Sequence, residues 1–205
     1  MNLQQSLGVI LVLIAVCGGS ACAPIPTTVY AADSAQGKLL FSTCAINKNV
    51  PGGIELELDG VLAQVKLDQA FSRGFVEVRL DVPPNRTVQL LGDVVAVDRH
   101  DGREPIEAHY PNISLVDAPS INSFNGSPAL AQYMLPVQTP MVGGAMVIGR
   151  QVWPKHYWMA ARVDTEGARA VTVTLPRMII NGTPARFPDL HFHRKFVIVL
   201  APINC

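Results

Sequence analysis

From Ile54 to Val82 the chain alternates apolar and polar residues with period two. Ile54-Glu-Leu-Glu-Leu58 and Val61-Leu-Ala-Gln-Val-Lys-Leu67 flank Asp59-Gly60. A two-residue turn with Gly after Asp accepts the positive φ that tight hairpins demand, so the pair predicts a β-hairpin. Val76, Val78, Leu80 and Val82 then alternate with Glu77, Arg79 and Asp81, the pattern of a half-buried strand, which Pro83-Pro84 stops. Val88–Leu91, Val94–Val97 and Ile106–Tyr110 follow as short β-rich runs, and further turn pairs stand at Asp101-Gly102, Asn125-Gly126, Glu166-Gly167 and Asn181-Gly182. His156–Val163, Ala170–Leu175 and Met178–Ile180 continue the series. The last run, Phe187–Leu200, sets Leu190, Phe192, Phe196, Ile198 and Leu200 on one face with Arg194 as an exception, for which a bulge or an edge position is the expected cause. No twelve-residue segment carries a 3.6-residue period. The stretch 118–142, rich in Pro, Ser and Asn, reads as a long excursion with one helical turn at 128–133. Short strands separated by spaced turns predict an all-β single domain, an antiparallel β-sandwich of immunoglobulin-like or jelly-roll-like type.

The N-terminus is a different object. No Asp, Glu, Lys or Arg precedes Asp33, and Leu7–Val16 is a ten-residue apolar run, too short for the roughly 20 residues that span a bilayer but of signal-peptide length. The leader MNLQQS lacks the usual Lys or Arg. Small residues follow in Cys17-Gly-Gly-Ser-Ala-Cys22-Ala-Pro. Ser20-Ala21-Cys22 resembles the end of a bacterial lipoprotein signal, departing from it at Gly19, where that pattern carries an aliphatic residue. The resemblance implies lipidation of Cys22, with Cys17 the rival position. Ordinary cleavage after Ala21 or Ala31, releasing a soluble secreted protein, is the alternative. The expected organisation is a signal peptide over 1–21, a tether over 22–37 and the sandwich over 38–205. With Cys17 removed and Cys22 acylated, Cys44 and Cys205 remain, and two thiols in an oxidising compartment are expected to pair. Their bridge would close about 160 residues, worth about 4 to 5 kcal/mol on chain entropy alone.

Charge removes some classes of function. Sixteen basic residues balance sixteen acidic ones in 205 residues, charged residues are 16% of the chain, and the pI is near 7.0. Such a chain presents no field for phosphate backbones or for a polybasic hold on lipid. Hydrophobic residues at 49% supply enough apolar surface for a core.

Few constellations carry chemistry. Trp153, His156, Tyr157 and Trp158 gather rings beside Lys155, a candidate patch for stacking on a sugar or peptide. The competing and weightier reading anchors Tyr157 or Trp158 in the core and leaves Trp153 covering an edge. His191 and His193 share one face of a strand and form a candidate metal pair, with His156, His109 or Asp189 available as a third ligand. Met141–Ile148 is an apolar run broken by Gly143-Gly144, suited to a partner surface or a buried strand. Asp98, His100 and Asp101 read as turn residues. G-x-S-x-G, H-E-x-x-H and Walker motifs are absent. The sequence therefore predicts an exported, lipid-anchored envelope protein of the periplasm or outer membrane. It is expected to be structural or binding rather than enzymatic, without a cofactor, with an envelope protein or polymer as partner and no nucleic acid. The alternative is a metal-binding exported protein or metal-dependent enzyme built on His191 and His193.

Overall fold

The computed structural model describes residues 24–41, 50–70, 73–116, 133–148 and 151–200. All described pairings are antiparallel, and the fold is an all-β, sandwich-like single domain. One sheet orders β1 (Pro24–Ala32), β17 (Leu190–Leu200), β14 (Ala170–Thr174), β7 (Val94–Asp98) and β8 (Ile106–His109). The larger sheet orders β10 (Tyr133–Leu135), β9 (Ile113–Val116), β13 (Gln151–Val163), β5 (Arg73–Val82), β4 (Val61–Ala70), β3 (Pro51–Leu58) and β2 (Lys38–Phe41), with β12 (Ala145–Ile148) paired to the start of β13. A small third sheet joins β11 (Met141–Val142), β6 (Thr87–Leu90), β15 (Met178–Ile180) and β16 (Thr183–Ala185). One turn of 3-10 helix at Ser34–Gln36, capped by the Asp33 carboxylate, links β1 to β2.

The expected hairpin forms as read: β3 and β4 pair from Leu58↔Val61 onward, and Asp59 and Gly60 take φ of 50° and 79°. Alternation then fixes the faces. Val76, Val78, Leu80 and Val82 of β5 meet Tyr157, Met159, Ala161 and Val163 of β13 inside, and Val97, Val173, Leu190 and Phe192 of the first sheet bury against them in one continuous core. Edges close the stack where β1 lies on β3 and β4, and β8 on β13.

Three sequence expectations change. The tether expected over 22–37 is folded from Pro24: β1 is an edge strand whose Tyr30, Ala31 and Ala32 are buried, and the Tyr30 hydroxyl donates to the Ala168 carbonyl at 2.8 Å. The β-branched and aromatic run Thr-Thr-Val-Tyr has strand character without a polar alternation to announce it. β13 begins at Gln151 rather than at His156, crossing Pro154, because Pro154 stands where β13 leaves β12; the next amide, Lys155, donates to Gly144 O at 3.0 Å. Of the two causes expected for Arg194, the bulge is absent and the edge position holds. The β1–β17 register runs unbroken from Ala32↔Phe192 to Pro24↔Leu200, while the β14 ladder on β17 stops at Ala170↔His193. Arg194 is polar because the strand leaves the core there, and its guanidinium donates to the Gly167 carbonyl at 2.9 Å. Ile113–Val116 and Tyr133–Val142 contribute strands within and beside the expected excursion, whereas the helical turn expected at 128–133 falls mostly outside the described residues.

The glycines in Met141–Ile148 have a backbone cause. Gly143 N donates to Arg86 O at 2.7 Å, and a Cβ on Gly143 would overlap the Pro83 carbonyl and stand 2.7 Å from that of Arg86. Gly143→Ala is therefore expected to cost about 1 to 3 kcal/mol in urea unfolding, as overpacking does. Tyr110 is the opposite case. It lines a small void with Leu80, Met159 and Phe187, its hydroxyl is buried without a hydrogen-bond partner among the described residues, and burial raises its pKa. Tyr110→Phe removes that unpaired group, so its melting temperature is expected to equal or exceed that of the parent; a loss of several degrees would show that the hydroxyl holds a partner.

Candidate functional site

The outer face of the larger sheet carries a continuous row of mostly polar side chains. Register aligns Lys38, Glu55, Gln64, Arg79, Trp158, Ser114 and Met134 in one row across seven strands, a line of about 29 Å at ordinary strand spacing. Glu55 binds the row together, accepting from Lys38 Nζ at 2.8 Å and Gln64 Nε2 at 2.9 Å. Those hydrogen bonds, Lys38 first, hold its carboxyl below the usual range.

The neighbouring row supplies Asp81 and, directly opposite on β13, His156. Arg79 and Asp81 lie two apart on β5 and so share the face. The guanidinium grips the carboxylate with two donors, Nε to Oδ1 at 2.8 Å and Nη2 to Oδ2 at 3.2 Å, and His156 Nδ1 stands 2.6 Å from Oδ1. A carboxylate only accepts, so Nδ1 carries the proton. Arg79 Nη2 is 3.0 and 3.2 Å from the two ring nitrogens; a donor that close to both lies over the imidazole rather than in its plane. Burial by itself would raise the Asp81 pKa, but the His156 and Arg79 hydrogen bonds and charges outweigh it and leave it lowered.

The four-residue aromatic patch divides. Tyr157 is a core residue, 3% exposed, with its hydroxyl on the Val142 carbonyl at 2.8 Å. His156, 7% exposed, is consumed by Asp81 and cannot act as a surface contact. Trp158 points outward, 38% exposed, and the row extends past buried Ser114 to Met134, 58% exposed. Trp153 pairs with Met146 in backbone register, and its side chain lies outside the described residues. Period-two parity separates 156 and 158 from 157; the burial of His156 was not legible, because its partner Asp81 stands 75 residues away. What remains exposed is an indole beside a clamped guanidinium and a thioether, a surface for stacking and planar hydrogen bonding. The Ser114 hydroxyl is 1% exposed in its residue and donates to Met134 Sδ at 3.2 Å, so it offers no nucleophile.

His191 and His193 do share the outer face of the first sheet, both exposed. His191 Nδ1 turns sideways to Thr172 Oγ1 at 2.8 Å, and the same hydroxyl meets His100 Nε2 at 2.8 Å. His100 reaches it from a turn at φ 53°, the one trace of a role that the sequence left hidden. Of the expected third ligands, His156 belongs to the other sheet, His109 pairs with Asp93 at 3.0 Å, and Asp189 is held by Thr174 and Arg186, whose hydrogen bonds, Thr174 first, lower its pKa. Among the described residues no group of three or more His, Cys, Asp or Glu side chains is placed to hold a metal ion. Cys17, Cys22, Cys44 and Cys205, and with them the signal, the lipidation position and the disulfide, lie outside the described residues.

Asp81 ties the site to stability. A carboxyl whose folded pKa lies below its ordinary 3.8 contributes stability above that value and loses it as pH falls through the lower folded value. Asp81→Asn is expected to lose about 2 kcal/mol at neutral pH, a discount on a fully buried pair because Arg79 is partly exposed. Its melting temperature should also fall less steeply than the parent's below pH 4; equal acid limbs would refute the assignment. The chain matches no known protein family, no curated protein and no solved structure.

Proposed function

We propose that this chain is an exported, lipid-anchored envelope protein whose sandwich binds a partner, an envelope protein or polymer, through the outer face around Trp158. Topology is the observation that carries the reading. β1 begins two residues after Cys22 and pairs along its length with the end of β17, so both chain ends leave the domain side by side. Strand directions bring Phe41, Asp98 and Val163 to the base of that ribbon, where Asp98 stands level with Thr172 and His191 and where Arg99 and Arg103 of one loop both pair with Glu166 of another. An anchor at Cys22 therefore leaves the Trp158 face unobstructed. The bridge proposed between Cys44 and Cys205 would be reached from Phe41 and Leu200, which stand three and five residues from those cysteines. Fully extended, these segments reach about 10 and 17 Å.

Intact mass of the protein from its native host, before and after reduction and alkylation under denaturing conditions, tests the proposal. The expected product starts at Cys22 with added acyl mass, and Cys44 and Cys205 alkylate only after reduction. An unmodified N-terminus overturns the anchor, and free thiols overturn the bridge. A start near Asp33 would in addition remove β1 and the buried Tyr30 from the core.

A further inference from the structure

We propose that the ribbon formed by β1 and the second half of β17 is a membrane-contact arm, which lays its far part on the bilayer surface that holds the anchor. The inference rests on the anchored reading above and goes beyond it, because an acyl chain alone requires no contact between protein and lipid.

Three observations converge on this ribbon. Among the described residues Phe196 is the most exposed large hydrophobic side chain, at 71%, and it sits opposite Thr28 where neither the core nor β14 covers it. Polarity is graded along the arm. Arg194 and Lys195 stand at its base, while the paired stretches beyond them, Pro24–Thr28 and Phe196–Leu200, contain no charge in a chain that is otherwise 16% charged. Finally, Pro24 follows Cys22 by two residues, so its Cα lies within about 7 Å of the residue proposed to carry lipid. Each headgroup layer is of about that thickness, so the arm starts at the bilayer surface.

An uncharged arm enters that layer at little cost in desolvation. A ribbon lying along the surface presses the Phe196 ring toward the acyl boundary, as the apolar side chains of interfacial anchors do. The competing occupant is a second copy of the chain, pairing edge to edge. Pro24 and Pro26 oppose it along β1, because proline removes ladder donors and blunts an edge.

The mature chain with Cys22→Ser, which cannot be acylated, separates arm from anchor when floated with vesicles of phosphatidylethanolamine and phosphatidylglycerol at 3:1. The bound fraction is expected to fall at least fivefold in Phe196→Glu. Phe196→Trp should bind as the parent does, with an emission that shifts to the blue and is quenched by brominated lipid. Parent and Phe196→Glu floating alike, or neither floating while circular dichroism shows both folded, overturns the arm. Sedimentation as a dimer that Phe196→Glu dissolves, without vesicle binding, overturns it in favour of self-association. Failure of the anchor itself appears separately, as a missing acyl mass in the native protein.

Discussion

The nine-pair ladder between β5 and β13, Lys155↔Val82 to Val163↔Gly74, is the constraint on which the rest of the molecule depends. It decides which side of each strand is inside. With this register Val76, Val78 and Leu80 face the core beside Met159 and Ala161, and Arg79, Asp81, His156 and Trp158 share the outer face. A slip of one residue would exchange the two sets at once. Hydrophobic burial resists that slip, and the Arg79, Asp81 and His156 cluster resists it by direction, since its hydrogen bonds close only when Asp81 stands opposite His156. The cluster is a register lock more than a source of net stability; a buried ion pair recovers little beyond its own desolvation, but a broken one is expensive.

That division explains why the surface looks less catalytic than its residue types promise. Histidine, carboxylate and hydroxyl all occur near one another, yet each is engaged: His156 by Asp81, Thr172 by His100 and His191, Asp189 by Thr174 and Arg186. What stays available on the outer face of the larger sheet is chemically mild, with Trp158 and Met134 toward one end of the cross-strand row and Lys38 at the other. A partner on the proposed face would gather its affinity from stacking and planar hydrogen bonds spread over several strands.

Legibility in the sequence followed the range of the physics. Local signals spoke clearly: Asp59-Gly60, Glu166-Gly167 and Asn181-Gly182 adopt the positive φ that their composition predicts, and the alternation of β5 gives its faces directly. Long-range partnerships were silent. Nothing near His156 announces Asp81, nothing near His191 announces His100, and the uncharged run before Asp33 hid β1 because it reads as a continuation of the leader. Arg194 was legible as an anomaly but not as its cause. The exception in the period-two pattern marks the point where β17 changes from core strand to ribbon, a fact that belongs to the length of β14 rather than to β17 itself.

The ribbon also determines how the domain bears load in the proposed anchored state. A pull on the tether enters at Pro24 and runs along the axis of β1, whose nine residues each pair with β17. Antiparallel hydrogen bonds lie perpendicular to the strands, so such a pull shears the whole ladder together instead of opening it one pair at a time. Tyr30 reinforces the inner end, being buried and bonded to Ala168 of the loop that Arg194 also holds. Force therefore reaches the core through the strand that the chain folds nearest its anchor, and the outer face of the larger sheet, set by the β5–β13 register, lies off that path.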